Sequence, residues 1–165
     1  MGCARLFFRF SRAPNGAGGV YGVSATTIGG PDARSASCGV RGYVAIVDDD
    51  ESVRRATARL ISAHSFPVRC YASAREFLDS ESGAPACLIV DMRMSGMTGL
   101  ELLHHLSGSG STVPVVVMSA DDTPGLRHRC ELAGASSFLT KPVPVDILLH
   151  AINTATAAKD TMTAR

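Results

Sequence analysis

Residues 86–103 read ACLIVDMRMSGMTGLELL, and this stretch carries the pattern that decides the fold. Residues 86–90 form a continuous apolar run of strand length, which is typical of a parallel strand covered by helices on both faces. Thr98 and Glu101 then match a capping box, in which a hydroxyl and a carboxylate satisfy free backbone N–H groups at the start of a helix. The stretch therefore predicts a buried strand, a loop and a helix, with Asp91 at the carboxyl end of the strand.

The same alternation continues on both sides of this stretch, from Tyr43 to about Thr154. Short apolar or β-branched runs predict five strands, at residues 43–47, 67–71, 86–90, 113–118 and 137–140. Longer amphipathic segments lie between these runs and predict helices. Alternating strands and helices predict an α/β domain built on a parallel sheet.

Several of the predicted helices have recognisable chemical starts and ends. Ser73 with Glu76 matches a second capping box, and Thr123 followed by Pro124 matches an N-cap with proline in the first turn. Gly134 is a suitable C-terminal stop. Apolar residues at helical spacing predict the faces that pack on the sheet: Val53, Ala56, Leu60 and Ala63 in the first helix, and Leu148, Leu149 and Ile152 in the last.

Length and composition fit one folded domain with extensions. At 165 residues the chain is long enough for one ordinary core and too short for two, and 45% hydrophobic residues suffice for that core. We predict a disordered extension at residues 1–40, a folded domain at 41–155 and a short flexible tail at 156–165. The extension is poor in acidic residues, which also leaves an organelle presequence open.

Charge and cysteine content argue against several classes of function. The 16 basic and 15 acidic residues give a net charge of +1, so no dedicated nucleic-acid surface is expected. The five cysteines are odd in number and form no CxxC pair, which argues against a disulfide framework and a zinc site. No apolar segment is long enough for a membrane span. These features predict a cytoplasmic protein.

Acidic residues follow two of the predicted strands. Asp48-Asp49-Asp50-Glu51 comes directly after the first strand, and Asp91 ends the third. If these strands are neighbours, as in the order 2-1-3-4-5, the carboxylates of Asp48, Asp49 and Asp91 converge in one pocket at the carboxyl edge of the sheet. Such close like charges repel unless a cation neutralises them. The oxygen-only donors favour Mg²⁺ over zinc.

Two further strand ends supply a hydroxyl and an ammonium group. Ser119 lies at the end of the fourth predicted strand, and Lys141 follows the fifth, directly before Pro142. A carboxylate nucleophile, a metal ion, a hydroxyl donor and a cation together suit the transfer of a phosphoryl group. Each residue alone is typical of an ordinary loop, and only their joint order along the strands points to this chemistry.

Four segments resemble the response-regulator receiver family, in particular its FixJ group: Ile46-Val47-Asp48-Asp49-Asp50-Glu51, residues 88–99 (LIVDMRMSGMTG), Val117-Met118-Ser119-Ala120 and Phe138-Leu139-Thr140-Lys141-Pro142. The resemblance covers about Tyr43 to Thr154. It implies the flavodoxin-like receiver fold, a doubly wound (βα)5 five-stranded parallel sheet in the order 2-1-3-4-5. It also implies a phosphoprotein of a two-component phosphorelay, whose only catalysis is Mg²⁺-dependent self-phosphorylation and autodephosphorylation.

The resemblance assigns roles to the residues at the sheet edge. Asp91 would accept the phosphoryl group from a sensor histidine kinase or a phosphotransfer protein. Asp48 and Asp49, together with Asp91 and the backbone carbonyl of Arg93, would bind Mg²⁺. Lys141 would contact the phosphoryl oxygens.

The resemblance also implies how the signal would leave the site. Ser119 would swing toward the phosphoryl group, and Phe138 would follow it inward from an exposed position. The peptide bond between Lys141 and Pro142 is expected to be cis. The output surface would be the fourth helix, fifth strand and fifth helix, which would contact a second copy of the protein or another regulator.

Three further residues near the predicted site are notable. Ser95 departs from the family's motif, because these receivers usually have proline at its position. We also hypothesise that Arg93 and Asp121 pair across the mouth of the pocket.

Two other functions compete with the receiver interpretation. The segment Asp48-Asp49-Asp50-Glu51-Ser52-Val53 loosely resembles the signature of haloacid-dehalogenase-like phosphatases, with Asp48 as the nucleophile. In that family the later acidic pair and the lysine occur in the reverse order, and Asp91 would have no role. The other alternative is a shortened transcriptional regulator, because FixJ-type relatives continue into a helix-turn-helix domain. Only about ten residues follow the last predicted helix, so no DNA-reading element is expected there.

Overall fold

The computed structural model describes residues 20–21 and 42–163, with side-chain surroundings for 42–157. Six strands form one sheet: β1 Val20–Tyr21, β2 Val44–Val47, β3 Val68–Tyr71, β4 Cys87–Asp91, β5 Val115–Ser119 and β6 Ser137–Thr140. Five helices connect or follow them: α1 Glu51–Ala63, α2 Ala74–Leu78, α3 Gly99–Gly108, α4 Pro124–Leu132 and α5 Val145–Thr163. The five strands predicted from the sequence are confirmed to within two residues at each end.

The sheet has the order β1-β3-β2-β4-β5-β6. Strands β2 to β6 are parallel, and their order is the predicted 2-1-3-4-5 arrangement. Strand β1 was not predicted, and it pairs antiparallel to β3, with Val20 opposite Arg69. The remaining residues of the predicted disordered extension, 1–19 and 22–40, lie outside the described residues. The parallel order places the ends of β2 and β4 side by side, because Val47 lies opposite Val90.

Alternation along the strands divides the core between the two faces of the sheet. One face packs against α1 and α5 through residues such as Ile46, Ile89 and Val116, and the other packs against α2, α3 and α4. Every residue of β2, β4 and β5 is buried, as expected for strands covered on both sides. Three buried free cysteines are shared between the faces: Cys70 and Cys87 lie on the α1 and α5 side, and Cys130 lies on the other.

The predicted starts of the helices are confirmed at α3 and in part elsewhere. Thr98 and Glu101 form a complete capping box, with both reciprocal hydrogen bonds. Ser73 accepts a hydrogen bond from the Glu76 N–H, but the Glu76 carboxylate reaches the N–H of Ala72 instead of Ser73. Ser73 is therefore the N-cap residue of α2, as predicted, and only the reciprocal hydrogen bond of Glu76 is displaced by one residue.

The fourth helix differs from its prediction at one end and agrees with it at the other. Thr123 is the N-cap residue of α4, but its side chain makes no capping hydrogen bond. Instead, its own N–H donates to the Asp121 carboxylate. At the other end, Gly134 has a φ of +95°, and the N–H groups of Gly134 and Ala135 donate to carbonyls of the last turn. Gly134, in the left-handed backbone conformation, therefore ends α4, as predicted.

The predicted packing face of α1 is confirmed at Leu60, which packs against the core, and is wrong at Ala56 and Ala63. Ala58 and Ile61 are its buried residues, whereas Ala56 and Ala63 are exposed. The stripe that includes Val53, Ala56 and Leu60 lines a cavity of about 270 Å³ beside α5. Because the sheet covers only one side of α1, apolar residues next to the buried face remain at an open groove.

The last helix continues further than the sequence predicted. Helix α5 runs from Val145 to Thr163 and therefore includes most of the predicted flexible tail. Ala155 and Thr156 are buried, and the Thr156 hydroxyl donates to the Ile152 carbonyl. Alanine-rich sequence favours helix even where charged residues are few. Among the residues that the structure describes, no helix has both the length and the apolar character to cross a membrane.

Candidate functional site

The residue after β2, Asp48, is buried with both of its carboxylate oxygens hydrogen-bonded. One oxygen accepts from the Asp50 N–H at 2.9 Å, and the other accepts from the Lys141 ammonium at 3.3 Å. Only 2% of Asp48 is exposed, and this burial raises the pKa of its carboxyl group above the ordinary value. Hydrogen bonding from Asp50 and the charge of Lys141 oppose that shift without cancelling it. The site therefore holds a carboxylate in surroundings that disfavour its charge.

Asp91 ends β4 beside Asp48 and is also buried. One of its carboxylate oxygens accepts from the backbone N–H of Arg93 at 2.8 Å. The other oxygen accepts a short hydrogen bond from the Lys141 ammonium. The carboxylate thus faces the loops at the carboxyl edge of the sheet, and the ammonium group of the flexible Lys141 side chain contacts one of its oxygens.

Lys141 joins the two carboxylates. Its ammonium group contacts both Asp48 and Asp91, and its side chain is 26% exposed. Burial alone would lower the pKa of Lys141, but the hydrogen bond that it donates to Asp91 and the charges of both carboxylates raise it above the ordinary value. The Lys141 N–H donates to the Ser119 carbonyl at 2.7 Å, which holds the backbone at this position. The peptide bond to Pro142 is cis, as predicted.

Asp49 differs from Asp48 and Asp91 in its exposure. Its side chain is exposed, and one of its oxygens accepts from the backbone N–H of Ser95 at 2.7 Å. That hydrogen bond lowers the pKa of the Asp49 carboxyl group, and the Ser95 hydroxyl adds a smaller effect in the same direction. In the part of the chain that the structure describes, no three His, Cys, Asp or Glu side chains are grouped to hold a metal ion. Asp48 and Asp91 share Lys141, and the charge of Lys141 also acts on Asp49, so the convergence of all three carboxylates on one ion stays a prediction.

Gly99 supports the position of Asp91, and the sequence reading missed this role. A Cβ atom on Gly99 would lie 2.5 Å from the Asp91 carbonyl oxygen and 3.0 Å from the Met92 Cα. The Gly99 N–H also donates to the Met92 carbonyl at 3.1 Å. Its position directly after the N-cap residue Thr98 was visible in the sequence, but the close approach of α3 to the end of β4 was not.

Ser119 ends β5 and is buried, with 1% exposure. Its hydroxyl oxygen accepts from the Asp121 N–H at 3.0 Å, which holds the following loop against the strand. The Asp121 carboxylate accepts from the Thr123 N–H. The hypothesised pair between Arg93 and Asp121 is not among the ion pairs of the described residues. Local capping of the loop engages Asp121 instead.

Phe138 is already buried, which corrects the prediction of an exposed starting position. It lies opposite Val117 in the sheet, and the Arg127 guanidinium stacks over its ring at 4.6 Å. Arg127 also donates to the Phe138 carbonyl at 3.1 Å and to the Asp122 carboxylate at 2.6 Å. No sequence pattern indicates the role of Arg127, because its contacts depend on how α4 packs beside β6.

Comparisons with known proteins find a matching family model and several relatives. A family model described as the response regulator receiver domain matches residues 44–153. The transcriptional regulatory protein TdiR of Thauera aromatica is 36% identical over 115 residues, which cover 69% of this chain and 51% of TdiR. The response regulator protein TmoT of Ectopseudomonas mendocina is 38% identical over 111 residues, covering 67% of this chain and 50% of TmoT. The chain spans about half the length of these curated relatives.

Solved structures agree with the sequence matches. The response regulator StyR superposes with a TM-score of 0.68 at 34% identity, covering 74% of this chain and 63% of that one. FixJ-N superposes with a TM-score of 0.63 at 32% identity, covering 70% of this chain and 94% of that one.

Proposed function

Because the chain belongs to the response regulator receiver family, we propose that Asp91 is the residue that accepts the phosphoryl group. Phosphorylation on aspartate in a two-component system is the general role of that family. The observation that carries the assignment to Asp91 is its position at the end of β4, buried, with the Lys141 ammonium on one oxygen. The phosphoryl donor would be a phosphohistidine of a sensor histidine kinase or a phosphotransfer protein.

The transfer requires an oxygen of Asp91 to leave one of its present hydrogen bonds. The oxygen that contacts Lys141 is the better candidate, because a lysine side chain is flexible whereas the Arg93 N–H is fixed in the backbone. This oxygen attacks phosphorus, a P–O bond forms, the P–N bond breaks, and the imidazole leaves with a proton from solvent. The Lys141 ammonium then contacts the phosphoryl oxygens, where it offsets their charge.

The donors at this edge fit a hard divalent cation. They are the carboxylates of Asp48, Asp49 and Asp91 and the backbone carbonyl of Arg93, all of them oxygens, and neither His nor Cys is part of the set. We propose that these four groups hold Mg²⁺. When bound, Mg²⁺ would supply positive charge next to the phosphoryl oxygens during their transfer. Both phosphorylation and autodephosphorylation of Asp91 should then depend on it.

The charge added to Asp91 would be read by two residues of the neighbouring strands. A phosphoryl group carries a charge of about −1.5 to −2, and this charge stabilises any conformer that brings hydrogen-bond donors to it. We propose that the Ser119 hydroxyl gives up the Asp121 N–H and turns to the phosphoryl group. Phe138, which is buried beneath Arg127, would repack in response. Release of the Asp121 N–H would loosen the start of α4.

The output would be a change in the surface of α4, β6 and α5. This surface exposes three large apolar side chains: Leu132 at 76%, Val145 at 44% and Ile147 at 46%. Exposed apolar side chains suit contact with a protein partner. We propose a second copy of this chain or another regulator as that partner. Direct binding of nucleic acid by this domain is not proposed.

Labelling with acetyl phosphate tests the assignment of Asp91 and separates it from the phosphatase alternative. Wild type with Mg²⁺ should gain the mass of one phosphoryl group, in a linkage that hydroxylamine cleaves. Asp91→Asn should lose this labelling, whereas the matched control Asp79→Asn, at a surface ion pair with Arg75, should keep it. Labelling that survives in Asp91→Asn but disappears in Asp48→Asn would instead support the haloacid-dehalogenase-like mechanism.

A further inference from the structure

The hydrogen bond between the backbone N–H of Ser95 and the carboxylate of Asp49 joins two loops of the site. It is 2.7 Å long, and it connects the loop after β2 with the loop after β4. Both partners are exposed, so water and cations reach them freely. The bond therefore does not serve the core, and its effect falls on the direction of the Asp49 side chain.

The four carboxylate oxygens of Asp48 and Asp91 are also engaged by protein donors. Those of Asp48 accept from Asp50 and Lys141, and those of Asp91 accept from Arg93 and Lys141. All four of these contacts come from backbone N–H or ammonium groups of the site. A divalent cation that takes the Asp49 oxygen now bonded to Ser95 would have to displace this N–H.

We propose that the backbone N–H of Ser95 competes with the divalent cation for the carboxylate of Asp49, and that it thereby lowers the cation affinity of the site. The inference rests on the proposed binding of Mg²⁺ at this edge of the sheet. Any residue except proline provides this N–H, so the property belongs to the backbone at position 95. Serine adds its hydroxyl as a second, weaker donor to the same carboxylate.

Two substitutions at position 95 separate the two donors. Ser95→Ala removes the hydroxyl and keeps the N–H, whereas Ser95→Pro removes both. Proline requires a φ near −65°, and Ser95 is not among the described residues with positive φ. Calorimetric titration of the unphosphorylated protein with MgCl₂ then measures cation binding without any reaction. We expect Ser95→Pro to bind Mg²⁺ about three- to tenfold more tightly than Ser95→Ala, the range for loss of one exposed, charge-assisted hydrogen bond.

A second measurement uses wild type and does not depend on how proline is tolerated. The amide proton of Ser95 should move to lower chemical shift and exchange faster with solvent as Mg²⁺ is added, because its acceptor leaves. The Arg93 amide, whose acceptor is Asp91, serves as the comparison within the same loop. Equal Mg²⁺ affinity in Ser95→Pro and Ser95→Ala, with an unmoved Ser95 amide in wild type, would overturn the inference and leave Mg²⁺ binding intact. Absence of any Mg²⁺ binding to wild type would overturn the proposed metal site and this inference with it.

Discussion

Replacing Gly99 with alanine should both destabilise the domain and slow the phosphorylation of Asp91. The new Cβ would lie 2.5 Å from the Asp91 carbonyl oxygen, about 0.9 Å short of ordinary van der Waals contact, which begins at 3.4 Å. The atoms that it meets are backbone atoms of Asp91 and Met92, so no flexible side chain can turn away. Either α3 retreats from the sheet or the end of β4 moves.

The size of the effect follows from this geometry. Adding one methyl group to a tightly packed site costs about 1–3 kcal/mol of unfolding free energy when neighbours must shift. At an m-value of about 2 kcal/mol per molar urea, the unfolding midpoint should fall by roughly 0.5–1.5 M. The shift also moves the acceptor carboxylate, and displacement of a reacting group by about 1 Å can slow a reaction by up to 100-fold. We expect labelling by acetyl phosphate to slow by about tenfold or more.

Gly108→Ala is the matched control for this substitution. Gly108 is the last residue of the same helix, is exposed, and has no atom within 4 Å of a Cβ placed on it. The same change there should leave stability unchanged or raise it by up to about 1 kcal/mol, because alanine favours helix over glycine. Urea unfolding and the labelling rate are measured for both variants and wild type.

One result would refute the reasoning about Gly99. If Gly99→Ala unfolds at the same urea concentration as Gly108→Ala and is labelled at the wild-type rate, then the approach of α3 to the end of β4 is not a constraint. A loss of stability without a loss of labelling rate would place the strain in α3, away from the acceptor.

Three further predictions follow from the caps, the stacked arginine and the buried carboxylates. Thr98→Ala should lower the free energy of unfolding by about 1 kcal/mol through loss of the capping box, whereas Thr123→Ala, whose hydroxyl caps nothing, should change it little in urea unfolding. Arg127→Ala should cost about 1 kcal/mol through loss of its stacking and carbonyl contacts, and Arg75→Ala, at an exposed ion pair, should be nearly neutral in the same assay. Burial raises the pKa of Asp48 in the folded state above its pKa in the unfolded state. The stability that this group contributes is therefore lost as pH rises from the unfolded-state pKa through the folded-state pKa. Asp48→Asn should accordingly be more stable than wild type at pH 7. That gain should vanish below about pH 3.8, and a variant no more stable than wild type at either pH would contradict the sign.

Much of the fold was predictable because buried strands leave a direct record in sequence. The runs ending at Val47, Val90 and Met118 are apolar because helices cover both of their faces, and Thr98 with Glu101 marks a helix start by local hydrogen bonds alone. The packing side of α1 was predictable only in part, because alanines fit both the sheet and an exposed groove. Strand β1 was missed since two residues are too few to show alternation.

The candidate site was likewise predictable only in part. The strand ends indicated some of its contacts, and the others depend on how the chain packs in three dimensions. Strand ends predicted that Asp91, Asp48 and Lys141 would meet, and the structure brings them together. Sequence could not show that Asp49 turns to Ser95, because the partner is a backbone N–H that carries no residue signature. It likewise could not show Phe138 already buried, because the covering group comes from α4.

Cys70 and Cys130 lie on opposite faces of the sheet, so the reactivity of each thiol can show whether the core on its own face opens. Burial raises the pKa of Cys70 to about 11, so at pH 7 only about one thiol in ten thousand is the reactive thiolate even before access is considered. Alkylation should therefore be slow until the surrounding core opens. With Cys3, Cys38 and Cys87 replaced, the labelling rates of Cys70 and Cys130 would follow the opening of the α1 and α5 side and of the α4 side separately. Comparison of those rates before and after phosphorylation would tell which half of the core loosens.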